Sequence, residues 1–377
     1  MKLLDCKDDF ADFGDVTYLN CAYQGPMPRV AIEALRQAIE LETRPYLTSD
    51  GDYFDVPDAY RTAVATLIGG RPSEVAVTDS TTHGMVVLAR GLDWSPGDEI
   101  VLPRGEFPAN RFPWLALEDR GVRVREIDLP PGRPGLERLA DAIGKRTRLV
   151  TAAWVRYQTG ERRDVAAIGR LCRERGVLFA IDGSQGIGGL PFDLAEIPCD
   201  LVACSGYKWM LGPYGLGFAW VAPALAERLD PPNVNWFAIA GARDFSRLGE
   251  CELAWEPGAR RFDVNETASF FNVLSGTASL RYLLDLGVAK AAAHVEALQD
   301  RLLDGLPEGF RPLGGADTEQ RSNILCLTAD RDELLARAGQ RLDALRVVVS
   351  RREGAIRVAP FVYNGAEDVD RLLEGLA

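Results

Sequence analysis

Histidine is almost missing from this chain: there are two in 377 residues, His83 and His294. The seven cysteines stand at 6, 21, 172, 199, 204, 251 and 326, and no two form a C-x-x-C pair. With so little imidazole and no paired thiols, a transition-metal site has no ligand set to build on, and no metal is expected. An odd number of scattered cysteines in a large chain reads as free thiols in a reducing, cytoplasmic setting. No apolar run approaches the roughly 18 residues that a membrane helix requires. The opening Met1-Lys2-Leu3-Leu4-Asp5 turns acidic before any apolar core forms, unlike a signal peptide. Net positive charge is also absent. Lysine and arginine number 43 against 55 acids, a balance of −12, so neither nucleic acid nor an anionic membrane is an expected partner. Internal repeats and low-complexity tracts are missing too.

What is present is a large hydrophobic fraction, 47%, enough for one large domain and a smaller one. Apolar runs at 74–78, 98–102, 122–127, 148–154, 177–181, 201–204 and 216–221 read as strands buried on both faces. Helical patterns at 81–90, 109–119 and 164–175 fall between them. This alternation predicts an α/β fold with a mostly parallel sheet. Beyond it, helices are expected at 277–286, 288–303, 332–342 and from 367, with strands near 323–327, 347–349 and 355–358. That texture is an α+β lobe with an antiparallel sheet. The segment 230–266, with little periodicity, is expected to carry the chain between lobes.

Ligands in such sheets bind beyond the carboxyl ends of the strands. Lys208 stands there, in Ser205-Gly206-Tyr207-Lys208-Trp209-Met210-Leu211-Gly212-Pro213. A lysine in a partly dry pocket has its pKa lowered and becomes an amine nucleophile; alone, it reads equally well as a solvated residue after a strand. Asp182, directly after the run 177–181, is placed to hold a protonated ring nitrogen, the partner that pyridoxal phosphate needs, or to cap a turn. Asp79-Ser80-Thr81-Thr82-His83-Gly84 opens a helix, where hydroxyls and backbone N–H groups suit a phosphate or an ordinary N-cap. Phe107 is a ring-stacking candidate or a core aromatic. All four features lie in one order along one sheet.

Asp182-x-x-Gln185 and Ser205-Gly206-Tyr207-Lys208, with the helix start at Thr81, resemble the class V aminotransferase family of fold type I pyridoxal-phosphate enzymes. That family includes cysteine desulfurases, isopenicillin N epimerase-like proteins and kynureninase. The resemblance runs from Tyr18-Leu19-Asn20 to Val362-Tyr363-Asn364. It implies a large domain with a mostly parallel seven-stranded sheet and a smaller C-terminal α+β domain. The corresponding boundaries are an amino-terminal arm and substrate loop at 1–25, the cofactor domain at 26–265 and the small domain at 266–377. It also implies pyridoxal 5′-phosphate as cofactor and a homodimer with active sites at the interface.

By position, Lys208 resembles the Schiff-base lysine, Asp182 the ring-nitrogen acid and Gln185 the donor to the ring 3-oxygen. Thr81, Thr82 and His83 match the start of the phosphate loop, and Ser205 its second contributor. Tyr207 stands where many members have histidine. Glu266, Thr267 or Ser269 falls where a second subunit often completes the phosphate site, with Thr267 the residue carried forward. Arg357, in Ile356-Arg357-Val358-Ala359-Pro360, resembles the arginine that binds the substrate α-carboxylate, a task suited to a planar guanidinium. Asn20 and Tyr23 match an amino-terminal substrate loop or a packed arm. Tyr157 or Gln158 stands near where many relatives have asparagine.

Two departures narrow the chemistry. Phe107 replaces the histidine that desulfurases stack on the ring, so it keeps the stack without the acid–base function. The segment before Arg357, 349–355, is short and carries no cysteine, whereas persulfide chemistry requires a thiolate there. The expectation is a pyridoxal-phosphate enzyme acting on an amino acid or amine-bearing small molecule, an aminotransferase and not a cysteine desulfurase. The alternative is a C–S or C–C lyase, or an epimerase, on the same scaffold. A cofactor-binding protein without turnover ranks behind both.

Overall fold

The computed structural model describes residues 3–267, 269–313, 321–352 and 354–377. Seven strands form the main sheet: β1 (Val75–Thr78), β2 (Glu99–Pro103), β3 (Arg123–Ile127), β4 (Thr147–Ala153), β5 (Leu178–Asp182), β6 (Leu201–Ser205) and β7 (Gly217–Val221). Their spatial order is β1-β7-β6-β5-β4-β2-β3. Neighbours run parallel, except that β7 is antiparallel to both β1 and β6.

The continuous apolar runs belong to strands covered on two sides; the run expected at 122–127 is the exception, for the edge strand β3 has no fully buried residue. Val77, Val101, Val150, Phe179 and Val202 face one hydrophobic core. Their neighbours Ala76, Ile100, Leu149, Ala180 and Ala203 face the other. Alanines at three of these positions let a helix come close. Among the helices are α1 (Arg29–Thr43), α2 (Asp52–Ile68), α3 (Thr81–Gly91) and α4 (Phe270–Leu286). A Cβ at Gly84 of α3 would lie 2.6 Å from the Ala203 Cβ, so glycine is what allows α3 to rest on β6. Its amino terminus is thereby delivered to the carboxyl end of the sheet.

Several expectations need correction. The helix expected over 109–119 is broken into 3-10 turns at Pro108–Asn110 and Glu118–Arg120 and a single α turn at Phe112–Leu115. Pro113 has no N–H for a helix running through it and is accommodated only in a first turn. Helices α1 and α2 precede the first expected element; both pack against α4, which begins at Phe270 rather than at 277. The segment 230–266 contains three 3-10 helices. Its end lies along the free edge of β1, where Val264 N–H donates to Val77 O (2.9 Å) and Asp263 Oδ1 accepts from Val77 N–H (2.9 Å). Arg61 of α2 pairs with the buried Asp263 carboxylate. The sheet edge is thus covered rather than left open to another chain.

A second sheet is antiparallel, in the order Ser350–Arg352, Ala355–Val358, Leu325–Ala329, Phe310–Pro312. The strand expected over 347–349 does not join it. Val347–Val348 pairs in parallel with Thr17–Tyr18 of the amino-terminal arm, and Asn20 bridges to Ala359. The arm therefore runs beside the strand that carries Arg357. Among the described residues no helix is long and apolar enough to cross a membrane.

Candidate active site

Lys208 sits in the turn after β6. Gly206 N–H donates to Leu216 O (2.8 Å), and Gly212 N–H to Gly206 O (2.9 Å), closing the loop around the lysine. Gly25 N–H donates to Tyr207 O (2.8 Å). A Cβ at Gly25 would lie 2.2 Å from Lys208 O, so only glycine permits the arm to approach this closely. Lys208 is 8% exposed. Burial pushes its pKa down; Asp182 opposes that shift, and Arg357 and Arg352 reinforce it. An amine so placed carries more of the neutral, nucleophilic form than a surface lysine. It opens into a cavity of about 470 Å³ that Thr81, Phe107, Asp182, Gln185 and Ser205 also line.

Asp182 ends β5 across the cavity floor. Its Oδ1 accepts from Ser184 N–H (2.9 Å) and Ser184 Oγ (2.5 Å). Burial raises its pKa above the ordinary carboxylate value, while the Ser184 bonds and Lys208 pull it back. A buried acid in this state is suited to a cationic ligand atom, which would lower its pKa again. Gln185 Nε2 donates to Ala22 O (3.0 Å), and its Oε1 accepts from Trp209 Nε1–H (3.0 Å). The amide plane is fixed, and one of its two N–H donors remains for a ligand.

The start of α3 forms the polar end. Ser80 caps it, accepting from His83 N–H (3.2 Å). Thr81 N–H donates to Ser205 Oγ (3.0 Å), and the Thr81 hydroxyl lies 2.8 Å from that of Ser205. Thr82 is exposed at the rim and, like Tyr207, lines the cavity. Helix dipole, hydroxyls and amides together suit a phosphate. Phe107 presents a ring 41% exposed, 5.5 Å from Lys208 Nζ and in edge contact with Tyr157.

Arg357 is almost fully buried. Nη1 donates to Tyr157 O (2.9 Å) and Nη2 to Ser350 Oγ (3.2 Å). Its buried Nε has no acceptor. Burial, aided by Arg352, pushes its pKa down to about 10, still far enough above neutrality to keep the charge. A desolvated guanidinium with an unused donor calls for an anion. Asn20 reaches it indirectly, its Oδ1 accepting from Ser350 Oγ (3.0 Å).

Other candidate residues lie further out. The His83 ring faces Asp79 (Nδ1 to Oδ1, 3.8 Å) and Asn233, so only its backbone belongs to the helix start. Tyr23 is exposed. Gln158 packs near Gly105, its buried Oε1 without a donor. Thr267 is buried, and its hydroxyl donates to Val264 O (2.7 Å). Sequence reasoning passed over Ser184, although a serine two residues after a strand-end aspartate is a recognisable turn signal. It also missed Glu106, whose Oε1 accepts from Arg163 (2.7 Å) and whose Oε2 accepts from Ala153 N–H and Asn110 (both 2.9 Å). Nothing in the local sequence announces that buried pair.

The donor set fits pyridoxal 5′-phosphate: a nucleophilic lysine, an acid for a ring nitrogen, an exposed aromatic face and an anion-binding helix start. Fold and site together define a pyridoxal-phosphate enzyme of fold type I acting on an amino acid. The chain belongs to the class-V aminotransferase family, whose sequence model, Aminotransferase class-V, matches residues 52–372. It is similar to isopenicillin N epimerase of Amycolatopsis lactamdurans, at 33% identity over 96% of this chain and 94% of the relative. It is likewise similar to a probable cysteine desulfurase of Pseudomonas aeruginosa, at 30% identity over 96% and 93%. A solved complex of the cystine C–S lyase C-DES with its reaction product cysteine persulfide superposes with a TM-score of 0.86. There the identity is 26%, over 96% of this chain and 97% of that one.

Proposed function

We propose that the protein is an aminotransferase for an amino-acid substrate. Pyridoxal 5′-phosphate, when bound, supplies an aldehyde for the substrate amine and an electron sink for the substrate α-carbon. Lys208 Nζ is the attachment point. Its free amine would be the group that takes the proton from the α-carbon, and proton transfer of this kind contributes about 10²–10⁴-fold to rate. Asp182 would keep the ring nitrogen protonated, Gln185 would donate to the ring oxygen, and Phe107 would cover the ring face. Thr81, Thr82, Ser205 and Tyr207 hold the phosphate, joined by the Thr267 loop of a second copy in a homodimer. Arg357 binds the α-carboxylate, with Asn20 and Tyr157 holding it in place.

The observation that carries this reading is that, among the described residues, the cavity is lined by a single amine, Lys208, and by no imidazole. His83 is turned to Asp79 and Asn233, and His294 is buried between Leu4 N–H and Asn364 O, so neither imidazole lines the cavity. One lysine that takes a proton and returns it nearby suits transamination better than epimerisation, which delivers a proton to the opposite face. The likeness to a cystine C–S lyase favours β-elimination as the second reading. Sulfur transfer to a protein thiol is disfavoured. No cysteine occurs at 349–355. Cys326, paired with Arg357 across the second sheet, donates to Gln158 O (3.0 Å), and burial pushes its thiol up to about 12.

The test is incubation of the holoenzyme with a panel of amino acids, following both cofactor and product. Conversion to the pyridoxamine form with release of a 2-oxo acid is expected. Release of ammonia or thiol with the cofactor unchanged would move the assignment to the lyase reading.

A further inference from the structure

Arg156 lines the same cavity as Lys208, together with Gly105, Phe107 and Tyr157. Its backbone is fixed at both ends of a tight turn: the N–H donates to Glu161 O (2.9 Å), and the carbonyl accepts from Gly160 N–H (2.9 Å). Val155 and Arg162 bridge beneath it. The side chain therefore projects from a rigid base. Gly105, at φ +79°, brings no side chain against it; a Cβ there would lie 3.2 Å from Gln158 Nε2 and 3.8 Å from Arg156 Nη2.

The guanidinium is underused. Its counter-charge is Glu161, whose Oε2 stands 3.6 Å from Nη1, beyond hydrogen-bond length. Arg156 Nε is buried with no acceptor, and Glu161 Oε1 is buried with no donor. Neighbouring arginines are differently committed. Arg163 is spent on Glu106 and Ala153 O, and Arg351 on Asp343 and Gly339 O. The basic pair 351–352 is thus half consumed by the fold, whereas Arg156 keeps donors available at the cavity wall. Arg357, which contacts the adjacent Tyr157 carbonyl, is the separate anion site assigned above to the α-carboxylate.

We propose that Arg156 is a specificity-determining residue that binds a second carboxylate, carried at the end of the substrate side chain. The substrates this chain prefers are then acidic amino acids. A carboxylate competes well for this guanidinium because the Glu161 contact is loose and a bidentate pair uses donors now idle. The proposal rests on the reading of the cavity as an amino-acid site.

The experiment is a spectral titration of the pyridoxal-phosphate-loaded enzyme with matched pairs: aspartate and asparagine, glutamate and glutamine, 2-aminoadipate and its amide. Each is used as its α-methyl derivative, which has no α-proton to lose, so that dissociation constants are read from the cofactor absorbance independently of turnover. At least one acid is expected to bind about 10- to 100-fold more tightly than its amide. Arg156→Gln is expected to bring that ratio close to one, and Arg156→Lys to keep part of it. A ratio near one for every pair in the wild-type enzyme overturns the proposal, as does a ratio that survives Arg156→Gln. A protein that takes up no pyridoxal phosphate overturns the amino-acid reading itself. That outcome is distinguished from the others by the missing visible band.

Discussion

The hydroxyls of Thr81 and Ser184 lie 2.6 Å apart, joining the start of α3 to the acid at the end of β5. An ionised Asp182 only accepts, so Ser184 Oγ must give its proton to Oδ1. Thr81 must then donate to Ser184, and Ser205, 2.8 Å from Thr81 Oγ1, donates to Thr81. The order Ser205, Thr81, Ser184, Asp182 is a polarised line of hydroxyls ending on the buried charge. Ser184→Ala removes its last link and leaves Asp182 Oδ1 with the Ser184 N–H alone. The variant is expected to bind pyridoxal phosphate about 10- to 150-fold more weakly, one hydrogen bond to a charged group. Equilibrium dialysis measures this, and unchanged affinity would show that the line is ornamental.

Asp182 makes the cofactor-free protein less stable than it would otherwise be. Its folded pKa is raised by burial, so between the ordinary and raised values the folded chain keeps a proton that the unfolded chain has lost. Stability therefore falls as pH climbs through that window, and the full cost is present above it. Asp182→Asn is expected to stabilise the cofactor-free protein at neutral pH by about 1–3 kcal/mol, with the gain fading towards about pH 4. It should also weaken cofactor retention. Denaturant unfolding at several pH values separates the two effects; a pH-independent difference would contradict the burial argument.

The Glu106–Arg163 pair is nearly sealed from solvent and fixes the segment that carries Phe107 to the end of β4. Arg163→Met leaves Glu106 charged and unpaired, at a cost of about 3–5 kcal/mol. Adding Glu106→Gln should recover a good part of that loss. Urea midpoints of the two single variants and the double variant form the cycle, and additive losses would mean that the pair is not coupled.

Tyr214 and Leu253 are each 74% exposed, and Tyr214 lies at the cavity mouth. An exposed aromatic at the cavity mouth is placed to be covered by the second copy proposed above. Light scattering at micromolar concentration is expected to give twice the chain mass, and Tyr214→Glu to shift the species towards monomer. A wild-type monomer would remove the second copy from the phosphate site.

The parallel strands and their order of use were readable because burial on both faces leaves uninterrupted apolar runs, as at 201–204. Lys208, Asp182, Gln185 and Thr81 were readable for a related reason: each stands at a fixed step from such a run. What escaped depends on contacts between distant segments. The pairing of Val347–Val348 with Thr17–Tyr18 has no local signal. The same holds for Arg163 with Glu106, and for the looseness of Arg156, which is visible only once the distance to Glu161 is known. Helix α2 carries Pro57 in its interior, a residue that argues locally against the helix it occupies. Tertiary packing against α4 overrides that preference.

The close approach at Gly25 also has a mechanical meaning. Residues 20–25 hold the lysine loop through Gly25 N–H and the main sheet through Gln185 at Ala22 O. The same six residues grip the second sheet at Ala359 and Ser350. The arm is thus a short tether across the cleft, anchored on both banks by backbone bonds. The strand bearing Arg357 and the turn bearing Lys208 are thus linked through one short segment, so the residues proposed to seat a carboxylate and to move a proton are mechanically coupled.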